Sequence, residues 1–113
     1  MNAHTSNELV ELKCSVQRAL IEQVTERLAA VTCGIKNKGI TIIGYFDDPV
    51  TDKDVELLSD IAGEVLADFP EGYTLDEIVR SVAEGPLEAL DFWAFMRAPS
   101  AAGPDVPPRR EGP

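Results

Sequence analysis

The chain predicts an α+β fold of two layers, in the order αββαββ, with a mainly antiparallel sheet carrying both helices on one face. Three observations carry that expectation. Apolar residues recur at three- and four-residue steps over 9–31 and again over 55–69. Branched and aromatic runs at 33–36 and 40–46 flank Asn37-Lys38-Gly39. Two further runs of that kind, 78–82 and 92–97, follow the second periodic segment. A lone hairpin is marginal in water, whereas four strands covered by two helices bury enough surface to be stable.

The first helix is expected to open at Thr5, whose spacing to Glu8 fits a capping box. Leu9, Leu12, Val16, Leu20, Val24, Leu28 and Val31 then form an amphipathic stripe of about six to seven turns, with Lys13, Arg18, Glu22 and Glu26 among the solvated positions. The two strands that follow are expected to pair as a hairpin, with Asn37 and Gly39 supplying the positive φ of a tight turn. Asp47-Asp48-Pro49 ends the second strand, since proline cannot donate to a ladder.

Thr51 suits the N-cap of the second helix, and Asp52 and Asp54 sit in its first turn, where the helix dipole favours negative charge. Val55, Leu58, Ile61, Ala62, Val65, Leu66 and Phe69 are its expected buried stripe, Gly63 falls on the exposed side, and Pro70 marks the stop. Residues 74–83 admit two readings. Thr74 with Glu77 mimics a capping box and Leu75, Ile78, Val79 and Val82 have helical spacing, while residues 78–82 also read as a strand. The strand is expected, because it completes the layer. Glu84-Gly85-Pro86 opens the loop to the last strand. Residues 1–98 are expected to form one domain. Residues 99–113 hold five of the eight prolines and read as a disordered tail.

Charge is the distinctive property. The net charge is −10, and it is unevenly placed. Residues 1–40 carry five basic and four acidic side chains, residues 41–98 three and fourteen, and the remainder two and two. Such a field disfavours nucleic acid and anionic membrane as direct partners and favours a basic protein surface. Within the second helix, Asp52, Glu56, Asp60, Glu64 and Asp68 stand four residues apart. Each step places like charges side by side at about 0.2–0.5 kcal/mol, so the row is either a tolerated solvated face or one presented to a cation. Lys53 is the only base between Thr51 and Phe69, and Glu71, Asp76 and Glu77 continue the charge.

No catalytic constellation accompanies it. His4 is the only histidine and has no orienting partner in sequence. Asp47 and Asp48 are adjacent, so in a strand they point to opposite faces and make a poor magnesium pair. Cys14 and Cys33 have neither a CxxC partner nor a nearby histidine, and both read as small core hydrophobes. Tyr45, Phe92, Trp93 and Phe95 read as core, with one or two rings exposed by strand alternation. No metal or cofactor is expected. With no basic-then-apolar leader and no membrane-length apolar run, the expected location is the cytoplasm, with reduced thiols.

The run Tyr45-Phe46-Asp47-Asp48-Pro49-Val50-Thr51-Asp52-Lys53-Asp54-Val55-Glu56, continued by Glu64-Val65-Leu66-Ala67-Asp68-Phe69-Pro70, resembles a group of small acidic bacterial proteins. Some of these resemble immunity proteins of polymorphic or contact-dependent toxin systems. The similarity is clearest over residues 16–82 and supports the strand at 78–82. The resemblance implies a non-enzymatic immunity protein that neutralises a basic toxin such as a nuclease. Asp52, Glu56, Asp60, Glu64 and Asp68 are then the expected contacts, with Asp47 and Asp48 at the rim. A structural or regulatory module for a basic partner, with no toxin, is the alternative. A homo-oligomer is compatible with either and required by neither.

Overall fold

Two helices and four strands follow one another as α1 (Ala3–Leu20), β1 (Leu28–Lys36), β2 (Gly39–Phe46), α2 (Asp52–Ala67), β3 (Thr74–Ser81) and β4 (Phe92–Met96). The computed structural model describes residues 3–21 and 23–98. The side chain of Thr5, expected to cap α1, and the proline-rich tail at 99–113 lie outside the described residues. The observed order is the αββαββ order read from the sequence; the strand expected at 78–82 is present but runs from Thr74 to Ser81, with Val82 in the 3-10 turn that follows.

The strands form one sheet in the order β3-β2-β1-β4. β1 pairs antiparallel with β2 and with β4, while β2 pairs parallel with β3. The sheet is therefore mixed, and the expectation of a mainly antiparallel sheet fails at β2–β3. The cause is the intervening α2, which returns the chain to the end of the sheet where β2 began. A parallel neighbour needs such a crossover.

The first helix is shorter than its apolar spacing predicts. It ends at Leu20, and a turn through Ile21 N–H to Arg18 O (3.2 Å) and Gln23 N–H to Leu20 O (3.0 Å) takes the chain out of it. Val24 is exposed, while Leu28 and Val31 are buried strand residues. β1 lies between two strands and is buried from Leu28 to Gly34. A strand covered on both faces reads as an unbroken apolar run, which spacing alone does not separate from a buried helix.

The hairpin turn is also redistributed. Asn37 (φ 53) and Lys38 (φ 66) take the left-handed conformation, and Gly39 opens β2 instead. Two consecutive positive φ values give the twist that a two-residue hairpin needs.

Past the register shift between Leu28 and Ala30, core residues divide by strand parity. Leu12, Val16, Leu20, Leu58, Ile61 and Val65 from the helices join Val31, Cys33, Ile40, Ile42 and Phe46 in one cluster. Ala30, Ile43 and Tyr45 belong to a second cluster, joined by Ile78, Val82, Leu87, Leu90 and Trp93. The connection between β3 and β4 supplies Val82, Leu87 and Leu90, because these strands are the two edges and the chain must traverse the sheet between them. Thr32 Oγ1 anchors it, accepting from Leu90 N–H (2.7 Å) and donating to Phe92 O (2.8 Å). Tyr45 Oη accepts from Glu88 N–H (2.8 Å). Cys33 is buried as expected, and burial pushes its thiol up to about 12. Cys14, expected as a small core residue, is exposed.

Candidate functional site

α2 starts where the sequence places it. Thr51 caps the helix by accepting from Asp54 N–H (3.2 Å), and the Asp54 carboxylate accepts in return from Thr51 N–H (2.9 Å). Asp54 serves more than the dipole. It is buried, and Arg27 from the turn before β1 meets both of its oxygens, with Nε at 3.1 Å from each and Nη2 at 2.9 Å from Oδ2. Arg27 Nη2 also donates to Asp47 O (2.7 Å) and Pro49 O (2.6 Å). One guanidinium thus ties the acidic turn to the first turn of α2. Burial alone pushes the Asp54 carboxyl up, and the hydrogen bonds from Arg27 and Thr51 overcome it, so the group lies below the usual aspartate range.

Asp47 is half-buried beside this clamp. Arg97, just past β4, grips it with Nη2 to Oδ1 (2.8 Å) and Nη1 to Oδ2 (3.1 Å), and those hydrogen bonds hold its carboxyl below the ordinary range. Asp48 is exposed and accepts from Ser81 Oγ (2.9 Å) at the end of β3. The turn predicted at Asp47-Asp48-Pro49 is therefore present and is fastened to three other elements.

All five carboxylates of the α2 row are exposed. Each four-residue step advances about 40° around a helix, so the row winds instead of lying wholly opposite the buried stripe. Its C-terminal end reaches α1. Asp68 accepts from Ser15 Oγ (2.6 Å) and Arg18 Nη2 (2.9 Å), which lower its carboxyl, and Glu64 accepts from Gln23 Nε2 at 3.4 Å. Asp52, Glu56 and Asp60 have no ion-pair partner among the described residues. The expected stripe on the other side is buried at Leu58, Ile61, Ala62, Val65 and Phe69, but Val55 is 43% exposed. Asp54 takes a place on the buried side with Leu58 and Ile61.

The sequence marks Arg18 only as a solvated position and gives Arg27 and Arg97 no role, yet these three decide which acids are paired. Asp54 carried a readable signal, since it stands at the third helical position after Thr51 and in phase with Leu58 and Ile61. The arginine partners, 27 to 50 positions away from their carboxylates, carried none. Among the described residues no three His, Cys, Asp or Glu side chains group so as to hold a metal ion, and no helix is long and apolar enough to cross a membrane.

A four-stranded mixed sheet with two helices, and an acidic helix on which Asp52, Glu56 and Asp60 are exposed without an ion-pair partner among the described residues, define a small α+β protein with one anionic flank. The family model described as MafI2 immunity protein matches residues 10–99, and the chain belongs to that family. Membership carries an immunity role against a toxin partner. No curated protein matches the chain.

Proposed function

We propose that this chain is a non-enzymatic cytoplasmic immunity protein that binds a basic toxin, a nuclease in its specific form, through the exposed acids of α2. The observation that carries the reading is the contrast along one helix. Asp68 and, at the adjoining turn, Asp47 are satisfied by Arg18 and Arg97, while Asp52, Glu56 and Asp60 remain exposed and unpaired among the described residues. In this reading the helices cover one face of the sheet as a two-layer body, supported by their shared cluster with Val31, Ile40 and Ile42. That body holds the three carboxylates in fixed relation, and they occupy the cationic surface that the toxin uses for phosphates. Asp47, Asp48, Glu64 and Asp68 border the contact. Neither nucleic acid nor membrane is bound directly, and no second copy is required.

Opposite fields raise association above the unsteered range of about 10⁵–10⁶ M⁻¹s⁻¹, with a steep fall as salt is added. The test is a Glu56→Lys/Asp60→Lys variant, assayed for protection of cells expressing the cognate toxin and for association rate at two salt concentrations. The pair of substitutions turns the steps to Asp52 and Glu64 into opposite-charge neighbours, so the helix is retained. Loss of protection, with a slower and less salt-dependent association, is the expected result. Undiminished protection by a folded variant refutes the proposal.

A further inference from the structure

The two edges of the sheet are not alike. β4 has five residues, its register with β1 shifts between Val31 and Thr32, and Ala94 O accepts from Gln17 Nε2 of α1 (2.8 Å). A bulge and a capping side chain both hinder the addition of another strand there. β3 has eight residues, pairs with β2 from Thr74 to Ser81 without a shift, and contains no proline. Among the described residues, no hydrogen bond outside the β2 ladder reaches the backbone of residues 75–79.

The direction of its free groups follows from one bond. Thr74 N–H donates to Lys38 O, on the β2 side (3.0 Å). Backbone N–H and C=O groups alternate sides along a strand, so those of Leu75, Glu77 and Val79 point away from β2. Their charges also select. Asp76 and Glu77 are exposed and, as neighbours in a strand, lie on opposite faces, while the nearby base Arg80 is taken up by Glu88 (2.9 Å). A second copy of the chain brings these acids close to their own images, whereas a strand bearing lysine or arginine meets a carboxylate on either face. α2 packs beside β3, and Glu77 shares a face with Leu75 and Val79, which pack on the helix-containing cluster.

We propose that the outward edge of β3 is a strand-addition site, which receives an extended, lysine- or arginine-bearing segment of the toxin as a fifth strand. This rests on the toxin-binding function proposed above and adds a main-chain component to it. Main-chain bonds supply affinity in such an arrangement, and the alternating acids supply specificity.

Two measurements test it, with the catalytically inactivated domain of the cognate toxin as the probe. Glu77→Pro removes one outward donor and sets a ring on the edge without touching a β2 bond, while Glu77→Ala removes only the carboxylate. Titrated at one salt concentration, Glu77→Pro is expected to weaken the Kd at least ~10-fold beyond Glu77→Ala. In the wild-type chain, amide exchange at Glu77 and Val79 is expected to slow on complex formation, which is readable whether or not the proline variant folds. Equal affinities of two folded variants, or unchanged exchange at both amides, overturns the strand addition while leaving the toxin-binding function in place. Protection of the same amides by concentration-dependent self-association assigns the edge to a second copy and also overturns it. A wild-type chain that does not bind the toxin overturns both proposals.

Discussion

Replacing Arg27 by methionine isolates the clamp at the start of α2. The substitution keeps most of the apolar stem and removes the guanidinium. Three contacts to Asp54 at 2.9–3.1 Å disappear, and the carbonyls of Asp47 and Pro49 lose their 2.7 and 2.6 Å donor. Asp54 is 3% exposed, so water cannot replace the lost partner at the carboxylate. Removing one member of a buried ion pair costs about 3–5 kcal/mol. The Arg27 side chain is 37% exposed, which lets water compensate at the carbonyls. A loss of about 2–3 kcal/mol at pH 7 is the discounted expectation. The pH dependence supplies a second signature. In the wild type the Asp54 pKa lies below its unfolded value of about 3.9, so its contribution is full above that pH and disappears as pH falls through the folded value. Without Arg27, only the hydrogen bonds from Thr51 oppose burial, so the folded pKa lies higher than in the wild type. The variant's deficit is then largest at neutral pH and shrinks as the carboxyl protonates on acidification. Urea unfolding at pH 7 and pH 4.5 measures both effects. Adding Asp54→Asn to the variant is expected to recover stability at pH 7, because the amide still accepts at the cap and carries no charge. A deficit under about 1 kcal/mol, or one equal at both pH values, refutes the clamp as described.

Other expectations follow from single positions. Gly63 lies on the exposed side of α2, and a Cβ there meets nothing within 4 Å, so Gly63→Ala is expected to stabilise by about 0.5–1 kcal/mol in thermal unfolding. At Gly44 an added Cβ falls 3.0 Å from Leu58 Cδ1, where α2 presses on β2, and Gly44→Ala is expected to cost about 1–3 kcal/mol by the same measurement. Cys33 is buried with its thiol pushed up to about 12, whereas Cys14 is exposed. A thiol reagent is therefore expected to label Cys14 alone in the folded protein at pH 7–8 and both cysteines in denaturant, as mass spectrometry would show.

The element order, both ends of α2, the exposure of Gly63 and of the five-carboxylate row, and a strand at 78–82, which the fold moves to 74–81, were legible in the sequence. These follow from local rules: a threonine cap, a three-four apolar spacing, a proline stop. The resemblance carried by residues 45–56 and 64–70 agrees with the family model over residues 10–99. Local rules failed wherever a residue's environment came from distant chain. Leu28 and Val31 continue a helical spacing but are strand, because β2 and β4 pair with β1 on either side. Cys14 stands near an apolar stripe and is exposed, whereas Leu12, Ser15 and Val16 are buried, because the fold decides which face of α1 is covered. β3 lies parallel to β2 because α2 crosses between them, and no strand pattern encodes direction. The same limit governs the acidic row. Its spacing is local, but its neutralisation at Asp68, like that of Asp47 in the preceding turn, depends on Arg18 and Arg97, which only the folded chain brings within 3 Å. Coulombic pairing is decided by distance in space, and that distance is set by packing.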